Sequence, residues 1–351
     1  MTAVIKSLAT ANPPKKVTQE RVYQFLKSRF KLKGEEKRLY EKILLDGPIK
    51  TRYFGLDDDE QILLQDQDRL IERFLKYGRL TAAKAARNAL MRAKLGPKDV
   101  GGIIVNTCTG YLCPGLSSYL VEDLSLDRSV KGVDIAGMGC GAAIPNLEWA
   151  ARMAPLNHRV VLSVAVEICS ATFFMEPDPD LVVSNCIFAD GASAAVVASG
   201  NDNDSRKIVT LLDFESLVLP KERESLRYRS VQGRLRNVLS KRVPVAAARG
   251  VKEVTNKVLE RNGLGPDEIA FWAVHPGGSL VLERIHKELE LPVGALDFSY
   301  QILRDYGNMS SPSVMFVLER ILQKAKPKTK QKCLLLSFGA GFTAFAGLVE
   351  F

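Results

Sequence analysis

Cys140 sits among small residues in the segment Gly137-Met138-Gly139-Cys140-Gly141-Ala142-Ala143. An apolar run from Val130 to Ala136 precedes it and a helical pattern from Ile144 to Met153 follows, which places the thiol where a buried strand hands over to a helix. The free N–H groups and partial positive charge of a helix start favour thiolate over thiol, and flanking glycines let a substrate carbonyl approach sulfur and backbone closely. Such a thiol is equipped to attack an acyl group. A buried thiol that only packs is the other reading of this segment, since free cysteine behaves as a small hydrophobe.

Two further residues complete a set that could do acyl chemistry. His275 ends the apolar run Phe271-Trp272-Ala273-Val274 and is followed by Pro276-Gly277-Gly278, in a chain with only three histidines. Asn308 lies in Asp305-Tyr306-Gly307-Asn308-Met309-Ser310-Ser311-Pro312, ahead of the helical run Val314 to Arg320. Taken singly, His275 reads as a hydrogen-bonded structural histidine and Asn308 as a helix cap. With Cys140 they supply a nucleophile, a basic partner and a donor that does not titrate.

A weak internal repeat ties the three together. Leu95-Gly96-Pro97-Lys98-Asp99-Val100 follows the Ala-rich helical pattern from Ala82 to Lys94 and precedes the strand Ile103-Ile104-Val105. Leu264-Gly265-Pro266-Asp267-Glu268-Ile269 follows the helical pattern from Ala246 to Arg261 and precedes the strand that ends at His275. The offset is 169 residues (264 minus 95), and it carries Cys140 to Met309, beside Asn308. The halves also end alike, Phe188-Ala189-Asp190-Gly191 in one and Phe338-Gly339-Ala340-Gly341 in the other. Two similar α/β halves with their active groups on facing loops are the simplest architecture that explains this.

These segments, in their order and separation, resemble the type III polyketide synthases, the chalcone and stilbene synthase-like enzymes of the thiolase superfamily. The resemblance spans nearly the whole chain, from Leu8-Ala9-Thr10-Ala11-Asn12-Pro13-Pro14 through Ile49-Lys50-Thr51-Arg52-Tyr53, the Cys140 loop, Glu167 and the two residue sets above to Ser337 and Gly341. The 33-residue separation of His275 and Asn308 (308 minus 275) fits this family better than the related ketoacyl synthases. It implies an α/β thiolase-like fold of two similar halves in a layered α-β-α-β-α core with an N-terminal helical cap. Residues 1–200 would form the half with the cap and the nucleophile, and residues 201–351 the half with His275 and Asn308. Asn201-Asp202-Asn203-Asp204-Ser205 reads as the linker, and residues 1 to about 70 as the helical cap, with helices from Thr18 to Lys31 and around Glu35 to Leu45.

The same resemblance implies roles. Cys140 would hold the acyl group of an acyl-CoA starter, as an ion pair with His275. His275 and Asn308 would stabilise the enolate formed when malonyl-CoA loses carbon dioxide, and backbone N–H groups at Cys140 and the Gly339-Ala340-Gly341 loop would meet the second oxyanion. Phe188 would stand between CoA tunnel and reaction cavity, Arg236 at the position of a second gate aromatic, and Cys108, Thr109, Cys113, Cys169 and Thr172 around the cavity. Small residues there favour a fatty acyl starter. Lys42 and Gly277 would contact CoA, although Lys42 reads equally as a solvated helix face. CoA thioesters serve as substrates, and no separate cofactor or metal is expected, because the six cysteines lack paired CxxC spacing.

Composition bounds the rest. At 351 residues and 46% apolar content the chain can bury a large core. Neither a signal-like start nor an 18-residue apolar run is present, so the expectation is a cytoplasmic protein without a membrane span and with reduced cysteines. The net charge of +9 is concentrated in Lys27 to Lys42 and Lys221 to Arg242, which suits acidic partners such as CoA phosphates or an acyl carrier protein. No nucleic-acid motif accompanies it. The family pairs as homodimers through the first half. Two alternatives stay open at this level: a single-step ketoacyl synthase using carrier-protein malonyl, and a non-catalytic acyl-CoA binding protein.

Overall fold

The computed structural model describes residues 2–156, 159–174, 176, 178–200 and 207–351. Strand β1 (Thr2–Ala11) comes first, followed by a ribbon of β2 (Lys15–Thr18) and β3 (Thr51–Phe54) that brackets helices α1 (Gln19–Arg29) and α2 (Gly34–Leu44). Next come α3 (Gln67–Ala93), β4 (Val100–Asn106), α4 (Leu116–Asp123), β5 (Lys131–Ile135), α5 (Ala143–Met153), β6 (Val160–Ile168), α6 (Pro179–Ile187) and β7 (Asp190–Gly200). The chain continues with β8 (Val209–Val218), the hairpin β9 (Leu226–Val231) and β10 (Arg234–Leu239), α7 (Val243–Arg261), β11 (Ile269–Val274), α8 (Ser279–Glu288) and α9 (Asp297–Tyr306). It closes with α10 (Ser313–Lys324), β12 (Lys332–Gly339) and β13 (Thr343–Glu350).

Nine of the described strands form one sheet in the order β11-β12-β13-β8-β1-β7-β6-β4-β5. Read outward from the β1–β8 seam, β1-β7-β6-β4 matches β8-β13-β12-β11, and each series is antiparallel until its last pair, which is parallel. Only three residue pairs, Ala3–Leu211, Val4–Thr210 and Ile5–Val209, join the series. Helices α5 and α10 each touch strands of both series, while α3 covers the outer face of β1, β6 and β7 and α7 that of β8, β12 and β13. The result is the five-layer thiolase-like order expected from the repeat, with one apolar cluster in the central layer and one beneath each outer helix. Ile144 and Leu147 anchor α5 at 1% and 0% exposure, and truncating either to alanine should cost about 2–5 kcal/mol.

The repeated motif folds alike in both copies. At Gly96 the backbone N–H donates to Asp99 Oδ2 at 2.7 Å, and at Gly265 it donates to Glu268 Oε2 at 2.8 Å, so each copy makes the same turn into β4 or β11. The sequence places α1 and α2 well, with Thr18 capping α1 by accepting from the Arg21 N–H at 3.2 Å. The cap is not helical throughout residues 1 to 70, however. Its first residues are strand β1 at the centre of the sheet, because the apolar residues of Thr2–Ala11 can satisfy their backbone only between β7 and β8. The strand ahead of Cys140 is also not buried: β5 is the edge of the sheet and its first four residues are exposed, so an apolar run here marks a surface. The linker Asn201 to Ser205 lies outside the described residues.

Candidate active site

Cys140 lies on a single turn, Gly139–Gly141, that leads into α5, the central-layer helix of the first half. Gly139 has φ +59°, and a Cβ there would stand 2.8 Å from the backbone N of Ala340. Left-handed backbone and this close approach both demand glycine. From the other side Gly339, at the end of β12, approaches so closely that a Cβ would lie 3.3 Å from the Cys140 N. Backbone amides of the two halves therefore converge beside the sulfur. Gly341, two residues on, has φ +133° and turns against Thr343 rather than against the Cys140 loop.

Asn308 reaches the same place from the second half. It is fixed by its backbone, donating to the Ile187 carbonyl at 2.8 Å while its own carbonyl accepts from the Ala189 N–H at 2.8 Å, which seats Phe188 beside it. The side-chain amide donates to the Gly277 carbonyl at 3.1 Å and accepts from the Ser310 N–H at 2.8 Å. Ser310 Oγ then donates to Cys140 Sγ at 3.2 Å. Gly277 in turn lies against His275, since a Cβ on it would sit 3.5 Å from His275 Nε2 and 2.7 Å from Phe338 Cζ. Cys140, Ser310, Asn308, Gly277 and His275 thus form one contiguous set.

His275 is wholly buried at the end of β11, edge-on to the Phe338 ring with centroids 5.1 Å apart. Both its ring nitrogens lack a hydrogen-bond partner among the described residues. Burial drives its pKa down to about 3, and burial pushes the Cys140 thiol up to about 12 against the opposing effect of the Ser310 hydrogen bond. Burial therefore favours the neutral thiol and imidazole over the ion pair expected from sequence, because no opposite charge among the described residues offsets their desolvation.

Behind Cys140 lies a polar network that the sequence did not reveal. Glu167 of β6, wholly buried, accepts from the Cys108 N–H at 2.9 Å, Thr109 Oγ1 at 2.9 Å and Ser311 Oγ at 2.6 Å. Burial raises its pKa, and these hydrogen bonds oppose the rise. Cys108 Sγ sits 3.4 Å from Glu167 Oε1 and 3.6 Å from Ser310 Oγ, which links the network to the nucleophile. Thr109, expected on the cavity wall, is instead consumed here, since it also accepts from the Ile168 N–H at 2.9 Å. Ser310 and Ser311 were visible only as neighbours of Asn308.

Thr172 and Cys169 sit on the turn after β6, both buried, with Thr172 Oγ1 donating to the Cys169 carbonyl at 2.9 Å. Thr172 also meets the hydroxyl of Tyr228 at 3.2 Å. Tyr228 comes from β9, and burial raises its pKa well above that of a free phenol. It carried no sequence signal, hidden between Arg227 and Arg229 on a basic strand. Phe188 packs in the apolar cluster that holds Cys140, Cys169 and Phe173. Cys113 is exposed and Lys42 projects from the last turn of α2 to solvent, so the fold of one chain does not bring either to Cys140. Arg236 is held by Asp178, at 2.5 Å, and Arg52 is wholly buried.

Comparison with known proteins gives the family. Residues 9–262 match the family described as FAE1/type III polyketide synthase-like protein, and residues 215–350 match the C-terminal domain of chalcone and stilbene synthases. The chain belongs to the type III polyketide synthases. The 3,5-dihydroxyphenylacetyl-CoA synthase of Streptomyces toyocaensis is 30% identical over 329 residues, covering 90% of this chain and 84% of that one. The alpha-pyrone synthesis polyketide synthase-like Pks18 of Mycobacterium tuberculosis is 27% identical over 355 residues, with 97% and 89% covered. Among solved structures, PKS-I from the brown alga Ectocarpus siliculosus superposes with a TM-score of 0.90 at 26% identity, covering 99% of this synthase and 98% of that chain. The synthase is accordingly an acyltransferase that builds polyketides from acyl- and malonyl-CoA. None of its described helices is long and apolar enough to cross a membrane.

Proposed function

We propose that Cys140 carries the growing chain while His275 and Asn308 drive decarboxylation of malonyl-CoA, on a fatty acyl starter. The observation that supports this best is the fully buried His275 with two unpartnered ring nitrogens, set one glycine away from the Asn308 amide. A buried polar group without a partner is costly, and a thioester carbonyl entering the site would satisfy it.

The chemistry follows from the protonation states. In loading, the neutral imidazole takes the Cys140 proton as sulfur attacks the starter thioester, and coenzyme A leaves as the protonated thiol. In extension, the imidazole N–H and the second N–H of Asn308 Nδ2 donate to the malonyl thioester oxygen as carbon dioxide departs. An imidazole whose pKa lies near 3 stays neutral, and losing one such oxyanion donor typically costs about 2.7–4 kcal/mol. The enolate carbon then attacks the acyl-Cys140 carbonyl, whose oxygen turns toward the amides around Cys140 and Gly339. Sulfur leaves as the thiolate and takes a proton from solvent, and the lengthened chain, now on coenzyme A, can reload. The reaction draws on no group beyond the CoA thioesters it consumes.

Closure to a pyrone or resorcinol ends the cycle. The Mycobacterium tuberculosis relative is named for alpha-pyrone synthesis and the Streptomyces toyocaensis relative for a dihydroxyphenyl product. Exposed β5, with Val133 39% exposed at the edge of the sheet, supports assembly as a homodimer through that edge. Its six cysteines are all free, which suits a reducing compartment such as the cytoplasm. Exposed Lys31, Lys33 and Lys42 on and beside α2 give CoA phosphates or an acyl carrier protein a cationic approach. Mass spectrometry of products from malonyl-CoA and starters ranging from acetyl to long fatty acyl tests the reading. Pyrones or resorcinols carrying two or three added units on a fatty chain are expected. A single 3-oxoacyl product, or turnover only with a carrier protein, would replace it with one-step condensation, and unchanged product in Cys140→Ala would remove the nucleophile.

A further inference from the structure

A cavity lies beneath α1, walled by Val22, Phe25, Leu26, Phe54, Ile62 and Phe173, with Arg52 in its lining and Cys140 not. Its volume is about 50 Å³. A water-sized group needs roughly 10–15 Å³ on this scale, so the cavity encloses a few heavy atoms and leaves the rest of a longer molecule at its mouth.

Arg52 is the unusual part of this lining. It is wholly buried on β3, with Nε donating to Gln19 Oε1 at 2.7 Å and Nη1 donating to the carbonyls of Asn185 and Phe188 at 2.6 and 2.7 Å. Its Nη2 is buried and has no partner among the described residues. All of its hydrogen-bond acceptors are neutral. The nearby carboxylate of Asp190 is already taken by the Gly55 N–H and by the N–H and Oγ of Ser170. The guanidinium lies over the Phe54 ring, 4.9 Å from its centroid, and Asp190 acts on it only at a distance, so a buried guanidinium without a directly bonded carboxylate or a full set of acceptors remains expensive to keep, and an anion reaching it would be held by charge-assisted hydrogen bonds.

We infer that this cavity binds a monocarboxylate with a short apolar tail, its head group on Arg52 and its chain among the side chains of α1 and Phe173. A carboxylate is acceptor-only and matches the donor left on Arg52, whereas an ammonium would oppose it and a hydroxyl would bring no charge. The mouth does not repel such a ligand. Asp59, which lines it, is countered by Lys15 at 2.7 Å and Arg21 at 2.8 Å. Phe54 and Phe173 share one apolar cluster with Cys140 and Phe188, but Cys140 does not line the cavity, and the inference does not depend on the starter assigned to the condensation site.

Calorimetric titration of the full chain with sodium octanoate, octan-1-ol and octylammonium chloride tests the inference. Octanoate should bind at one site per chain, roughly tenfold or more tighter than octan-1-ol, with octylammonium weaker still. Val22→Trp, made on a partly exposed face of α1 so that Arg52 keeps its bonds, should abolish octanoate binding while the unfolding midpoint stays near wild type. Protein alkylated at Cys140 should bind octanoate unchanged. Equal affinity for acid and alcohol, binding that survives Val22→Trp, binding lost on Cys140 alkylation, or no binding at all would each overturn it.

Discussion

Replacing Gly339 by alanine should stop catalysis while leaving the synthase folded. An alanine Cβ at this position would stand 2.2 Å from the Met138 carbonyl oxygen and 2.6 Å from the Gly141 N. Carbon and carbonyl oxygen settle no closer than about 3.3 Å, so the β12 end and the Cys140 loop must part by roughly 1 Å. Both clashing atoms are backbone, and no side chain can swing away to absorb the shift. An amide set 2.9 Å from a developing oxyanion would then stand near 3.9 Å, which removes the donor and lowers kcat by about 10²–10³-fold. Overpacking of this kind costs about 1–3 kcal/mol of stability, a fall in Tm of only several degrees for a chain of this size. The assay is steady-state product formation from a fixed starter and malonyl-CoA, paired with thermal unfolding. Gly96→Ala is the control, because its Cβ would meet nothing nearer than Asp99 Oδ2 at 3.8 Å. If Gly339→Ala kept kcat within twofold of wild type, the two loops would not be rigidly opposed and the oxyanion assignment would fall. A Tm fall beyond about 10 °C would instead assign the loss to folding.

Three further outcomes follow from the same structure. The His275 pKa is depressed from 6.5 to about 3 on folding, so its contribution is fully present above about pH 6.5 and is lost as pH falls, because the unfolded chain takes up a proton that the folded one refuses. Wild type should therefore lose about 2 kcal/mol from this group between pH 8 and pH 5, and urea unfolding of His275→Gln should show a pH dependence smaller by that amount. Tyr228→Ala removes a buried phenol beside Thr172 and should raise kcat/KM for longer acyl-CoA starters relative to shorter ones; an unchanged ratio would place the acyl chain elsewhere. Val133→Lys tests the proposed homodimer: a cation on the exposed edge strand should move sedimentation toward the monomer relative to wild type, with little change in unfolding, and identical sedimentation of the two proteins would remove β5 as the interface.

The sequence by itself determined the architecture and singled out the candidate groups. Its repeat at Leu95 and Leu264 folds into matching turns and strands, because Gly-Pro followed by an acidic residue closes the same local hydrogen bond in both halves. Cys140, His275 and Asn308 were legible because each stands at an element boundary marked by glycine, and such local signals survive without tertiary context. Burial was legible only in part. Residues 2–11 and 131–135 are both short runs containing apolar residues, yet one lies at the centre of the sheet and the other at its edge, a difference set by strand order that no local pattern carries. Tertiary structure alone decided the partners. Ser310 on Cys140, Glu167 beneath Cys108 and Tyr228 against Thr172 are contacts across 170, 59 and 56 residues, the first and last formed where the two halves meet and the second between neighbouring strands of the first half. It also sets the direction of the pKa shifts, because desolvation depends on what surrounds a group in space, and burial moves both Cys140 and His275 toward their neutral forms.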